Sequence, residues 1–265
     1  MSGSTPVRRI RNEFELQDLV DSLGRDSALV EQDFALMTIV ARLVAQYGDA
    51  LCFKGGFVLR HVHGHERFSK DIDATRINPP KNKLDSADVA KVIRDASMRN
   101  LLTLTPGAPA TDSGRSMDFD SIRYTGPLGS GFVSVEVSYR EDVVEEPDFV
   151  EVGEPYYEPF AIPVMRLVEI VAEKLRALAQ RDRPTDLSDL AMILTTEAVD
   201  EERVRELVAK KFELVKPGNH RARIEETIAR LGGQYDDAIR AVAPDAPAYE
   251  PAANAVLSRL ALLLP

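Results

Sequence analysis

Asp71-Ile72-Asp73 is the stretch of this sequence whose residue types and spacing best suit chemistry. On a strand, side chains alternate faces, so both carboxylates point one way and Ile72 points the other. Their Cα atoms then stand about 7 Å apart, and the carboxylates can converge on two divalent ions about 3.5–4 Å apart. Hard oxygen donors, with water and substrate phosphates completing the shell, suit magnesium and phosphoryl transfer. A lone D-x-D is common, and a solvated edge strand or a turn explains it equally well.

Other residues bear on that reading. Gly55-Gly56 follows the apolar run Leu51-Cys52-Phe53 and precedes a helical stretch. Glycines there let backbone approach a triphosphate, and a helix start offers free N–H groups to anions, although an ordinary turn fits too. Glu136 shares the polar face of an alternating run with Ser134 and Ser138. Paired beside the Asp71 strand it becomes a third metal-site carboxylate; otherwise it is solvated. Lys174 falls within a helical apolar stripe of Leu167, Ile170, Val171 and Leu178, with Arg181 near its edge. A lysine on an apolar face is costly unless its charge finds a partner. Triphosphate oxygens would be that partner, and snorkelling to the helix edge is the plainer alternative.

Asp186 and Asp189 open the next helix, as an N-cap and a first-turn carboxylate, or else orient Lys174 or Arg181. Glu169 and Glu173 lie on the polar side and are expected to be solvated. Arg60, Arg67 and Lys70 are candidates to steady phosphates, against a solvated basic face. His61, His63 and His65 match no closed zinc site, and a solvated loop is the expectation.

Positioning these groups takes strands early in the chain and helices late. Residues 13–47 read as two helices, ended by Tyr47-Gly48-Asp49. A helix is expected over 57–64, a strand over 68–75, a break at Pro79-Pro80 and a helix over 85–100. The Gly-, Pro-, Ser- and Thr-rich stretch 105–131 reads as loops around one strand, 120–124, and 131–140 as a strand. After Pro163 helices are expected over 166–181, 187–195, 200–212, 220–231 and near the C-terminus. The fold class is α/β (α+β), divided as an α/β domain over 1–160 and a helical domain over 161–265 that completes an active-site cleft.

Composition sets bounds on this. The 265 residues are 44% apolar and 29% charged, ordinary values for a globular chain with a sizeable core. Trp is absent and aromatics make up 6%, which disfavours a stacking platform for single strands. The single cysteine, Cys52, makes no internal disulfide and reads as a small core residue in a reducing cytosol. No stretch is long and apolar enough to span a membrane, and Arg8, Arg9 and Arg11 look like a loose basic arm, so a cytoplasmic protein is expected. The net charge of −10 argues against a general nucleic-acid binder. Acidic residues crowd 141–158, while basic ones gather at 54–70, 174–183 and 210–223, and these could converge on an RNA.

With these residues assembled, the sequence resembles the AbiEii/AbiGii abortive-infection family of nucleotidyltransferase toxins, which includes the Men-type toxins. The landmarks are Glu31-Gln32-Asp33-Phe34, Lys54-Gly55-Gly56-Phe57-Val58-Leu59-Arg60, Arg67-Phe68-Ser69-Lys70-Asp71-Ile72-Asp73, and Glu173-Lys174-Leu175 followed by Asp186-Leu187-Ser188-Asp189-Leu190. The resemblance implies a polymerase-β-like nucleotidyltransferase core with a helical C-terminal part. It implies a toxin of a toxin–antitoxin module, with a cognate antitoxin encoded nearby, that moves a nucleotide from a nucleoside triphosphate to RNA, in some members the 3′ end of tRNA. Asp71 and Asp73 would bind metal, Lys174 would contact nucleotide phosphates and Asp189 would be a further essential acid. Ser69 matches a serine that some antitoxins phosphorylate, which would set a dianion beside the metal carboxylates. Gln32, Gly56, Thr185 and Ser188 depart from the pattern and put substrate choice in question. A protein or small-molecule acceptor, or a nucleotide-binding module without turnover, are the alternatives.

Overall fold

The N-terminal helix α1 (Glu13–Leu23) is set by its ends. The Asn12 side chain accepts the Glu15 N–H, and Gly24 closes the helix in the left-handed conformation. Helix α2 (Ser27–Tyr47) is apolar on nearly every side, and Val30, Phe34, Leu36, Met37, Ile39, Val40 and Leu43 are all buried. A helix of that kind forms the centre of a core rather than its edge. The computed structural model describes residues 5–77, 84–140 and 142–265. The Pro79-Pro80 break and Glu141 of the acidic run lie outside the described residues.

A 3₁₀ turn (Gly48–Ala50) leads into β1 (Leu51–Lys54), α3 (Gly55–His61), β2 (Asp71–Arg76) and α4 (Ser86–Asp95). Then follow β3 (Thr103–Pro106), β4 (Thr111–Asp112), β5 (Ser116–Thr125), β6 (Ser130–Ser138), β7 (Asp148–Val152) and β8 (Phe160–Val164). Among the described residues these strands form one mixed sheet in the order β3-β5-β6-β2-β1-β8-β7, with β4 paired to β5. The pairs β2–β6 and β1–β8 are parallel and the rest antiparallel. The fold class is therefore mixed α/β, as expected.

Several local expectations are corrected. The strand predicted from Phe68 begins only at Asp71, because Ser69 Oγ accepts the Asp71 N–H and donates to the Asp71 carbonyl. That local turn competes with the ladder. The stretch read as loops around 120–124 holds β3, β4 and a ten-residue β5. A register shift between Phe119 and Ile122 moves the buried positions from Met117 and Phe119 to Ile122 and Tyr124. Such a bulge hides the alternation from any period-two reading. Strands β7 and β8 were not anticipated, and Pro163 lies inside β8. The helix predicted over 85–100 stops at Asp95, and Ser97 Oγ accepts the Leu104 N–H just beyond it.

All of these elements belong to one compact unit, made of Met1–Gly64, Phe68–Val143 and Pro147–Val164. A second unit takes His65–Arg67, Val144–Glu146 and Met165–Pro265. Its helices are α5 (Leu167–Leu178), α6 (Pro184–Thr196), α7 (Glu201–Phe212), α8 (His220–Leu231), α9 (Tyr235–Arg240), α10 (Tyr249–Leu257) and α11 (Leu260–Leu263). Helix α5 packs against α6, α7 and α8, and Leu175, Leu178, Leu190, Ile193, Val204 and Leu207 are buried. Among the described residues no helix is long and apolar enough to cross a membrane.

Candidate active site

In the sheet unit the ladders fix which side chains share a face. Asp73 stands opposite Glu136 across the parallel β2–β6 pair, and Asp71 stands opposite Ser134. Residues opposite one another point to the same side of a sheet, so Asp71, Asp73 and Glu136 face one way, the placement that a third carboxylate requires. The row continues to Lys54 on β1, opposite Asp73, and to Asp118 on β5, opposite Glu136. Asp118 went unnoticed in the sequence because the bulge in β5 conceals its alternation. Its carboxylate accepts from Ser116 Oγ at 3.1 Å.

Hydrogen bonds tune this face. Ser134 Oγ donates to Asp71 Oδ1, and Ser69 holds the Asp71 backbone. Glu136 pairs with Arg140 at 3.4 Å, both side chains nearly half exposed. Among the described residues no three His, Cys, Asp or Glu side chains converge into a ready-made ion cage. The face offers two neighbouring carboxylates, with Glu136 beside them and turned to Arg140.

Gly55 lies directly against this row. It has φ +71°, and a Cβ built there would fall 2.2 Å from Asp73 Oδ2. Only glycine meets both demands. Helix α3 starts at this point and ends on Arg60 and His61, which were expected at phosphates and in a solvated loop. Both instead turn to the buried Asp33 of α2: Arg60 Nε donates to Oδ2 and His61 Nε2 to Oδ1, each at 3.0 Å. Tyr156 OH donates to the same carboxylate at 3.0 Å. Burial alone would push the Asp33 carboxyl up, but His61 and Arg60 together hold it below the ordinary range. The Arg60 guanidinium also lies over the Phe68 ring, 3.6 Å from its centroid. The sequence signal for Asp33 was a charged residue among the apolar positions of a helix, the same signal that marked Lys174. His65 is buried as well, so the histidine stretch is no solvated loop.

In the helical unit Lys174 is mostly buried and has two partners, Asp186 Oδ1 at 2.9 Å and Asp189 Oδ2 at 2.8 Å. Arg67 grips Asp189 with two bonds of 2.6 and 2.9 Å, and Arg181 grips Asp186 with two of 2.8 and 3.2 Å. Arg67 is thus held by a carboxylate, and Asp186 lies in the first turn of α6 and is not its N-cap. Burial would raise both aspartates, yet Arg67 and Lys174 hold Asp189 low, and Lys174 and Arg181 hold Asp186 low. Burial opposes the Lys174 charge, and Asp189 and Asp186 outweigh it and raise its pKa. Arg67, Lys174 and Arg181 thus converge on the two carboxylates Asp186 and Asp189.

Glu169 and Glu173, expected to be solvated, are buried or nearly so. Glu169 accepts the N–H groups of Val144 and Glu145, and Lys211 of α7 reaches Glu169 at 2.6 Å and Glu173 at 2.9 Å. Helix α7 covers the face of α5 that a two-sided reading assigned to water.

Comparison with solved structures bears on the fold. The nucleotidyltransferase toxin MenT4 from Mycobacterium tuberculosis H37Rv superposes with a TM-score of 0.70 at 22% identity, over 94% of this chain and 89% of that one. JHP933 from Helicobacter pylori gives 0.61 at 17% identity, over 90% of this chain and 92% of its own. Among curated proteins none matches the chain by sequence. Residues 38–259 match the family described as nucleotidyl transferase AbiEii toxin, type IV TA system, and the chain therefore belongs to that family of nucleotidyltransferases.

Proposed function

We propose that this toxin-family nucleotidyltransferase moves a nucleoside monophosphate from a nucleoside triphosphate to an RNA acceptor, the 3′ end of tRNA, with magnesium as its metal. The observation that carries this reading is the register that sets Glu136 opposite Asp73, with Asp71 on the same face and Gly55 against Asp73. The donor set fits magnesium. That ion is commonly held by one or two carboxylates, with water and substrate phosphates completing its shell. Asp71 and Asp73 would hold it, joined by Glu136 once its side chain leaves Arg140. Bound magnesium supplies charge neutralisation at the reacting phosphate and lowers the pKa of an acceptor hydroxyl.

The remaining work falls to the chain. The bare Cα of Gly55 gives the nucleotide room beside Asp73, and Gly56 continues that turn. Ser134 fixes the Asp71 carboxylate and Ser69 its backbone. Lys174 is assigned to nucleotide phosphates, and Asp189 holds Lys174 and Arg67 in place. The acceptor hydroxyl attacks the α-phosphorus in line and pyrophosphate departs. An antitoxin encoded nearby would restrain the activity, and its phosphorylation of Ser69 would break the hydrogen bonds to Asp71.

The test incubates the protein with each labelled nucleoside triphosphate, magnesium and total tRNA, alongside Asp71→Ala. Label in tRNA with the intact protein alone is the expected result. Magnesium-dependent label on protein or a small molecule would replace the acceptor. Full activity in Asp71→Ala would overturn the site.

A further inference from the structure

We propose that Asp33 is a positioning residue for transfer, a single buried carboxylate that holds both backbone segments flanking Asp71 and Asp73. This rests on the catalytic reading of those two residues. The segment on one side is α3. Its first residue, Gly55, touches the Asp73 carboxylate, and its last two, Arg60 and His61, are fixed by Asp33. A seven-residue helix moves as a rigid rod, so an error at its end is carried to its start. On the other side is the leader of β2. The Arg60 guanidinium stacks on Phe68, and the next residue, Ser69, makes the turn that sets the Asp71 backbone. One carboxylate thus controls the position of two elements that meet at the metal-site pair.

Energetics favour this over an incidental salt bridge. Asp33 is 1% exposed and receives three hydrogen bonds, two from cationic or potentially cationic groups and one from Tyr156. A buried charge survives only when it is paired and hydrogen-bonded, and bonds to ionised groups are stronger than those between neutral ones. Stability alone needs no such arrangement, since a well-packed apolar residue at this place in α2 would serve as well or better. A geometric role explains why the charge is there. Thr38 lies one helical turn and a residue further along α2, is equally buried, and is bonded by Tyr157 OH. It touches neither α3 nor the β2 leader in any described contact, which makes it the control.

The test compares Asp33→Asn, Arg60→Ala and Thr38→Val in the full chain by two measurements, at a temperature where all are folded. The first is hydrogen exchange. Asp33→Asn should lose protection selectively in peptides over 55–61 and 68–73, with β5 unchanged, whereas Thr38→Val should not. The second is label transfer to tRNA. Asp33→Asn and Arg60→Ala should lower kcat by about tenfold or more with KM for the nucleotide little changed, because a displacement of about an ångström at reacting groups has effects of that size. In the double variant the two losses should be less than additive, since Asp33 acts in part through Arg60. Uniform loss of protection, or kcat unaffected in folded Asp33→Asn, would overturn the proposal. If the intact protein transfers no label, the catalytic reading fails, and the exchange pattern still decides whether Asp33 holds both segments.

Discussion

Gly55 is where the backbone and the proposed chemistry are closest to colliding. Its φ of +71° and the 2.2 Å separation from a built Cβ to Asp73 Oδ2 leave no room for any side chain. Gly55→Ala should cost about 1–2 kcal/mol in backbone strain and push the Asp73 carboxylate aside. Transfer should fall about 100-fold or more while the far-ultraviolet circular dichroism is unchanged; a variant that keeps half its rate would detach Gly55 from the site. Ser134→Ala removes the hydrogen bond to Asp71 Oδ1 and leaves the ladder intact. A bond to a charged group is worth about 1.5–3 kcal/mol, so a drop of about tenfold in kcat is expected, read by the same label-transfer assay.

At the scale of elements, α5 and α6 are joined by buried charge, and this makes a pH prediction. Asp186 and Asp189 have folded pKa values held below the unfolded one. Their contribution is therefore fully present above the ordinary aspartate value of about 3.9 and is lost as pH falls through the depressed folded values. Asp186→Asn should destabilise the protein by about 1–3 kcal/mol at neutral pH, since it takes one of two carboxylate partners from the buried Lys174 and the carboxylate from the half-exposed Arg181. Denaturant melts across pH should show that gap narrowing below about pH 4. The β5–β6 hairpin supplies a second case. Leu128 N–H bonds the buried Glu31 carboxylate, and a Cβ on Gly126 would come within 2.2 Å of it. Gly126→Ala should cost about 1–3 kcal/mol by thermal melt, the range for an overpacked interior.

What the sequence made legible follows from the same elements. Alternation placed Asp71, Asp73 and Glu136 correctly on their own strands, and a charged residue in an apolar stripe pointed to Lys174. Sequence periodicity describes one element's faces and says nothing of which neighbour covers each face. Hence Glu169 and Glu173 were assigned to water although α7 lies over them, and Arg60 and Arg67 to phosphates although Asp33 and Asp189 hold them. The bulge in β5 resets the alternation midway, so Asp118 and most of that strand stayed hidden.

Across the whole molecule, family membership and the mixed α/β fold agree, while the two compact units differ in what stabilises them. One is a sheet packed on α2, with the buried Asp33–Arg60 pair beside it; the other is a set of helices around α5 in which Lys174 and Lys211 join buried carboxylates. Cys52, the chain's single cysteine, is fully buried in β1, next to the strand that carries Asp71 and Asp73. That placement makes the thiol a built-in clock for the sheet that carries the proposed site. An aromatic disulfide reagent can react only when β1 opens, so its rate in excess reagent reads the free energy of that opening. Binding of a nucleotide with magnesium should slow the clock by the factor with which it stabilises the sheet.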